Sequence, residues 1–101
     1  MEIHVRNKMI RSTFFSDSET AWRIEDAPLV LEYLQSKNKL VLGGDILTDA
    51  LEYTYDNWYY NVDSMQNLEH NVEYSVRRAC EYISNYAKAN GTEFHVVFVI
   101  E

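Results

Sequence analysis

The sequence contains very little cysteine, proline and glycine. Its 101 residues include one cysteine, one proline and three glycines. A lone cysteine, Cys80, excludes an internal disulfide and a CxxC pair, which fits a reducing cytosol. So few prolines and glycines leave little room for a flexible linker. We therefore expect a single domain over residues 1–101, which is long enough to bury a hydrophobic core of its own.

Targeting and membrane-spanning segments are also missing. The N-terminal stretch MEIHVRNKMI lacks the apolar run of a signal peptide. The longest apolar run, FHVVFVI, is much too short to cross a bilayer. These absences predict a cytoplasmic protein that does not act on membranes.

Motifs for catalysis and cofactor binding are absent as well. The sequence has no GxGxxG, no GxxxxGK followed by Ser or Thr, no HExxH and no GxSxG. The three histidines, His4, His70 and His95, lie far apart in sequence and in different predicted elements. Cys80 falls on the apolar stripe of a predicted helix, where a buried structural thiol is expected. We therefore expect no catalytic residue, no metal and no cofactor.

One short motif is similar to part of a catalytic signature. Gly43-Gly44-Asp45 matches the GGD of enzymes that make cyclic dinucleotides, but Ile46 and Leu47 follow where that signature has an acid and an aromatic residue. The domain of those enzymes is also far larger. We interpret the motif as a glycine bulge, with Asp45 capping a turn.

Positive charge is missing from the middle of the chain. No Lys or Arg occurs between Leu40 and Val76, although this segment holds seven of the 16 acidic residues. The other nine acids balance the nine bases, so the net charge of −7 arises from this one segment. Such a field repels nucleic acid and attracts a basic partner. Solubility alone is the alternative explanation for the acidity.

Hydrophobic periodicity predicts two helices and a small sheet. EDAPLVLEYLQSKNK predicts the shorter, N-terminal helix, with Asp26 as N-cap and Pro28 in the first turn. DSMQNLEHNVEYSVRRACEYISNYAKANG predicts a long C-terminal helix that begins with a capping box at Asp63. VLGGDIL, LEYTYDNWYYNV and EFHVVFVI predict strands, the first broken at its glycines. MEIHVRNKMIRS predicts a short strand or a helical arm, and FFSDSET a loop. The expected class is α+β (or α/β), a small mixed β-sheet with both helices packed on it.

Aromatic residues and acids alternate along the second predicted strand. Period-two alternation predicts that Tyr53, Tyr55 and Tyr59 pack under the long helix, together with Asn57, which would then need a hydrogen-bond partner. The opposite face, with Glu52, Asp56, Trp58 and Tyr60, is then expected to meet a partner. A slip of one residue would exchange the two faces.

Acids among tyrosine and tryptophan favour contact with a basic protein over contact with nucleic acid. The candidate binding residues are Asp45, Asp49, Glu52, Asp56, Trp58, Tyr60, Asp63, Glu69 and Glu73. Two alternatives stay open. One is a small acidic enzyme that uses the carboxylates between Asp45 and Asp56. The other is a homo-oligomeric structural or assembly protein that pairs through an exposed strand.

VLGGDIL, YTYDNWYYN, EYISNYAK and FHVVFVI, in this order, resemble bacterial immunity proteins of polymorphic toxin systems, and most of all the Immunity protein 40 family. The resemblance covers Ile24 to Ile100. Some immunity proteins of this kind serve contact-dependent growth inhibition. The resemblance implies a cytoplasmic, non-enzymatic inhibitor that forms a 1:1 complex with a cognate toxin, the C-terminal domain of a large effector. Many such toxins are nucleases (RNase- or tRNase-like) whose basic groove an acidic protein could occlude.

Overall fold

Seven strands and two helices form the fold in the computed structural model, which describes residues 1–101. Their order is β1 (Glu2–Val5), β2 (Lys8–Arg11), β3 (Thr13–Ser16), β4 (Glu19–Arg23), α1 (Ala27–Ser36), β5 (Val41–Thr48), β6 (Tyr53–Tyr59), α2 (Leu68–Asn90) and β7 (Phe94–Ile100). A single 3-10 turn, Ile24–Asp26, precedes α1. Neither helix has the length and apolar character needed to cross a membrane. The predicted α+β class is confirmed.

Every bonded pair of strands is antiparallel, so the expectation of a mixed sheet was wrong. β1 and β2 form a separate hairpin, and the main sheet has the order β3-β4-β7-β5-β6. The reason lies in the crossovers. α1 joins β4 to β5 and α2 joins β6 to β7, and each helix connects two strands of the same direction that a third strand separates. The intervening strand runs the opposite way, which makes every neighbouring pair antiparallel.

The N-terminal region is richer in strands than its sequence indicated. Arg6 and Asn7 have positive φ angles of 49° and 63° and form the two-residue turn between β1 and β2. Asp17 and Ser18 join β3 to β4. The expected loop over FFSDSET is therefore a hairpin, and the helical alternative for the first twelve residues was wrong.

Both helices cover one face of the main sheet. The core on this face combines sheet residues with helix residues: Trp22, Ile46, Trp58, Val96, Val30, Leu31, Val76, Ala79 and Ile83. The β1–β2 hairpin adds Ile3, Val5 and Ile10 to the same core. The apolar stripe predicted for α2 is thus confirmed at its central positions.

Two details of α2 differ from the prediction. The helix begins at Leu68, because Asn67 provides the N-cap by accepting a hydrogen bond from His70 N at 2.8 Å. Asp63 instead accepts from Met65 N at 3.0 Å in the preceding loop. Cys80 is exposed and not a buried thiol, because it lies one position beyond Ala79 around the helix. The helix ends as predicted at Gly91, whose φ is 93°.

Gly43 and Gly44 lie inside one continuous strand, β5. The register with β7 shifts between Val41 and Gly43, so the predicted bulge is confirmed. Asp45 lies in the middle of the strand, so the expected turn cap was wrong. A Cβ atom on Gly44 would lie 2.4 Å from Cη2 of Trp58 and 2.6 Å from the carbonyl oxygen of Val97. Only glycine lets the indole ring lie directly on the strand.

Candidate functional site

The open face is the face of the main sheet opposite the helices. Residues paired directly across neighbouring strands point to the same side of a sheet. Three rows of pairs therefore share the open face: Tyr53–Leu47–His95–Arg23, Asn57–Asp45–Val97–Ala21 and Tyr59–Gly43–Val99. Ala21, Leu47 and Val97 form a small buried cluster there with Phe15 and Leu51. This cluster contains no helix residue, so no helix covers the open face.

Tyrosines dominate the exposed part of the open face. Tyr53, Tyr55 and Tyr59 are 44%, 85% and 69% exposed. The expectation that these rings pack under α2 was wrong. Trp58 takes that place instead, is 3% exposed, and stacks on Tyr82 with a centroid distance of 5.0 Å. The two faces of β6 are thus the reverse of those predicted.

A bulge in β6 shapes this surface. Asn57 pairs with Asp45 and Tyr53 pairs with Leu47, so four steps along β6 match two steps along β5. The Thr54 hydroxyl holds the extra residues, because it donates to Ile46 O at 2.8 Å and accepts from Asp56 N at 3.1 Å. Tyr55 lies at the bulge with a φ of 69°, in the left-handed region, and Asn57 Nδ2 donates to its carbonyl at 3.4 Å. Asn57 is itself exposed and not on a buried face.

Replacing Tyr55 with glycine should raise the free energy of unfolding by roughly 0.5–1 kcal/mol, since glycine adopts positive φ without the steric cost that tyrosine carries. Tyr59 is exposed on the same strand with no positive φ. Tyr59→Gly should therefore lower the free energy of unfolding by about 0.5–1 kcal/mol. Urea unfolding of both variants measures the difference. Equal losses in the two variants would contradict a strained backbone at Tyr55.

Carboxylates without cationic partners accompany the tyrosines. Asp45 is half-buried in the middle row of the open face. The pKa of Tyr53 is raised by desolvation and by the negative charges of Glu19 and Asp45, which places both carboxylates near its hydroxyl. Neither acid takes part in any of the four salt bridges of the protein. Arg23, the cation of these rows, already donates to Glu25 at 2.8 Å.

The structure distributes the predicted binding residues over several places. Asp45 lies on the open face, and exposed Asp49 and Glu52 lie in the loop between β5 and β6. Asp56 lies on the edge strand β6, and its carboxylate accepts a hydrogen bond from Tyr86 OH of α2 at 2.9 Å. Burial and this bond raise the pKa of Tyr86. Trp58 is buried and presents no surface to a partner.

The remaining predicted residues lie near the start of α2. The Tyr60 hydroxyl donates to Asn71 Oδ1 at 2.8 Å, and its pKa is raised by burial and by Asp63. Glu69 and Glu73 line a polar depression between the end of α1 and the start of α2. Glu73 also pairs with Arg77 at 3.6 Å. The predicted acids therefore form two groups, one at the open face and one at the start of α2.

The family model of Immunity protein 40 matches residues 9–100. The chain belongs to the Immunity protein 40 family. Comparisons with curated proteins and with solved structures gave no match. Membership makes this chain an immunity protein, and an immunity protein binds a cognate toxin.

A catalytic or metal-binding use of the acids finds no geometric support in this immunity protein. No group of three or more His, Cys, Asp or Glu side chains is arranged to hold a metal ion. The Asp45, Asp49, Glu52 and Asp56 carboxylates follow a strand, a loop and a bulge and do not converge on one point. They are spread along an extended surface and do not surround a single point.

An apolar groove of about 490 Å³ lies between α1 and α2 of the immunity protein, away from the open face. Ile24, Leu31 and Ile83 line it, and Cys80 lies on its wall. Desolvation and the nearby Glu81 raise the pKa of the Cys80 thiol, which disfavours the reactive thiolate. The groove therefore contains no activated nucleophile at Cys80.

The exposed tyrosines are the residues that sequence reasoning misplaced in this Immunity protein 40 member. Alternation along TYDNWYY sorted the side chains correctly, because Tyr53, Asn57 and Tyr59 share one face, but the face under α2 is the one that holds Trp58. The signal for the bulge was Asp56-Asn57, a pair of turn-forming residues within an otherwise aromatic strand. Glu19 was missed because its segment was expected to be a loop.

Proposed function

We propose that this immunity protein neutralises a nuclease toxin, RNase- or tRNase-like, by covering its basic substrate surface. The complex is 1:1, forms in the cytoplasm and involves no catalysis by the immunity protein. The toxin is the C-terminal domain of a large effector, as in contact-dependent growth inhibition. The observation that carries this proposal is the segment from Leu40 to Val76, which has seven acids and no base.

Carboxylates that form no internal salt bridge are suited to binding a basic toxin surface. Asp45, Asp49 and Glu52 form no salt bridge within the protein. Binding a cationic groove therefore breaks no internal ion pair. Nuclease grooves bind a polyanion, so an acidic surface of matching shape competes directly with the nucleic acid. Long-range attraction then speeds the encounter, and close contacts slow dissociation.

Both edges of the main sheet weaken the alternative of assembly through strand pairing. β3 and β6 are the edge strands, and each contains a register shift against its neighbour. Bulges twist an edge and interrupt the regular row of donors and acceptors that another strand would need. This favours a partner that binds a surface.

Salt tests the electrostatic part of the proposal. The probe is the toxin domain encoded by the neighbouring gene, purified in an inactive form. Its association rate with the immunity protein should fall at least about tenfold between about 0.02 M and about 0.5 M NaCl, because salt screens charges beyond a few ångströms. A rate that stays constant would exclude steering by the acidic segment.

A pair of charge-reversal substitutions tests whether the acids between β5 and β6 cause the acceleration of association. Asp49→Lys with Glu52→Lys should slow association about tenfold at low salt. Glu81→Lys with Glu101→Lys makes the same change in net charge at exposed positions outside the acidic segment and serves as the control. Equal slowing by the two pairs would show that only total charge matters. Inhibition of RNA cleavage by the active toxin, followed with the same variants, tests the assignment of a nuclease.

A further inference from the structure

We propose that the open face is the surface that docks on the toxin, with Tyr53, Tyr55 and Tyr59 as the main contacts and with Asp45 and Glu19 facing toxin cations. The occupant is therefore a cationic protein surface. The inference rests on the proposed function, because it needs a toxin partner, and it selects one of the two acidic groups.

The first argument is the exposure of three large aromatic side chains on one rigid sheet face. Tyrosine gives a large contact area at a low cost in conformational entropy, because its side chain has few rotatable bonds. Two of the three rings, Tyr53 and Tyr55, are already ordered by aromatic contacts. Phe15 meets Tyr53 edge-on with a centroid distance of 5.4 Å, and Tyr53 stacks with Tyr55 at 6.3 Å. Such preorganisation reduces the entropy lost on binding.

The second argument is the backbone at Tyr55. A non-glycine residue with positive φ costs free energy and persists only where the surroundings hold it. Thr54 and Asn57 provide that support through their hydrogen bonds at the bulge. The result is a ring that is 85% exposed and contributes little to the core. The protein thus carries strain that displays this side chain to solvent.

The third argument is charge complementarity. Asp45 lies half-buried in the centre of the face, and no cation of the protein pairs with it. A lysine or arginine of the partner can bind this carboxylate and lie against the neighbouring tyrosine rings, which attract cations through their faces. An acidic or strongly apolar partner would leave Asp45 desolvated without compensation.

The competing surface lies around the start of α2. It has exposed apolar residues, Met65, Leu68 and Tyr74, beside Glu69. It also carries two arginines, Arg77 over the Tyr74 ring at 4.7 Å and Arg78 beside it, whereas the open face carries one, Arg23, which is paired with Glu25. Such cations repel a basic partner. The open face is therefore the better match for a cationic toxin.

Two triple-alanine variants separate the surfaces. One replaces Tyr53, Tyr55 and Tyr59, and the other replaces Met65, Leu68 and Tyr74. The probe is the inactive toxin domain encoded by the neighbouring gene, and titration calorimetry measures Kd. The open-face variant should bind about 100-fold more weakly or worse, while the other should stay within about threefold of the wild type. All six side chains are exposed, so both variants should fold, which thermal melting verifies.

The outcomes distinguish the two proposals. If the wild-type protein does not bind the toxin domain, the proposed function fails. If the wild type binds and the open-face variant binds within about threefold of it, only the assignment of the surface is overturned. Loss of binding by the α2 variant alone would overturn that assignment as well.

Tyrosine iodination gives a second readout that needs no variant. Mass spectrometry should show Tyr53, Tyr55 and Tyr59 modified in the free protein and protected in the complex. Tyr74, which is 40% exposed on α2, should react in both states and serves as the internal control. Protection of Tyr74 with continued reaction of the other three would contradict docking through the open face.

Discussion

Replacing Trp58 with alanine is expected to lower the free energy of unfolding by about 3–5 kcal/mol, the range for large aromatic residues in cores. The indole is 3% exposed and fills the space between β5 and α2. It stacks on Tyr82 and meets Phe98 edge-on with a centroid distance of 6.1 Å. The strand beneath it has glycine at position 44, so β5 offers no side chain at this position that could fill the cavity. Urea unfolding followed by far-UV circular dichroism measures the loss.

Two further variants sharpen the Trp58 experiment. The indole N–H of Trp58 has no hydrogen-bond partner. Trp58→Phe therefore removes buried apolar area but no hydrogen bond, and should lower the free energy of unfolding by about 1–2 kcal/mol. Tyr59→Ala, at the adjacent exposed position, should change stability by roughly 0.5 kcal/mol or less. A Trp58→Ala variant as stable as Tyr59→Ala would mean that the two faces of β6 are assigned the wrong way round.

The second large effect is expected at Asn71. Its side chain is 3% exposed and fixes the loop before α2. Oδ1 accepts from the Tyr60 hydroxyl and from Asp63 N, both at 2.8 Å, and Nδ2 donates to the carbonyls of Asp63 and Asn67, both at 3.0 Å. Asn71→Ala leaves the half-buried Tyr60 hydroxyl and the amide and carbonyl of Asp63 without these partners, and should lower the free energy of unfolding by about 2–3 kcal/mol.

Asn85 offers the matched control for Asn71. It is an exposed asparagine on the same helix. Asn85→Ala should leave the free energy of unfolding within about 0.5 kcal/mol of the wild type. Hydrogen exchange adds a local readout, since Asn71→Ala should speed exchange of the Asp63 amide in particular. Unchanged protection of that amide would show that the asparagine does not hold the loop.

Local patterns predicted the helices well and the strands less well. The stripe of Val72, Val76, Ala79 and Ile83 follows helical periodicity, and Gly91 ends the helix where its lack of a side chain permits positive φ. The same reasoning placed the start of α2 too early. Asp63 and Asn67 are both good N-cap residues, and in the structure the amide of His70 bonds to Asn67, while Asn71 holds the Asp63 segment as a loop.

The faces of β6 were beyond sequence reasoning for a physical reason. Alternation sorts the side chains of a strand into two sets but does not say which set meets the helices, and the bulge that displays Tyr55 depends on a hydrogen bond from Thr54 to a neighbouring strand. The position of Trp58 likewise depends on Gly44, which is distant in sequence. The acidic segment, in contrast, is a property of composition, and its candidates Asp45, Asp49 and Glu52 were found without any structure.

The position of β7 in the main sheet has a consequence for synthesis in the cell. β7 follows every other element along the chain, yet it lies between β4 and β5 in the sheet. During translation these two strands have no neighbour on their inner edges until β7 leaves the ribosome. The open face cannot exist before that moment, because β7 forms its middle. The open face therefore assembles only once β7 is complete at Ile100, and chains arrested within α2 expose unpaired strand edges to aggregation or proteolysis.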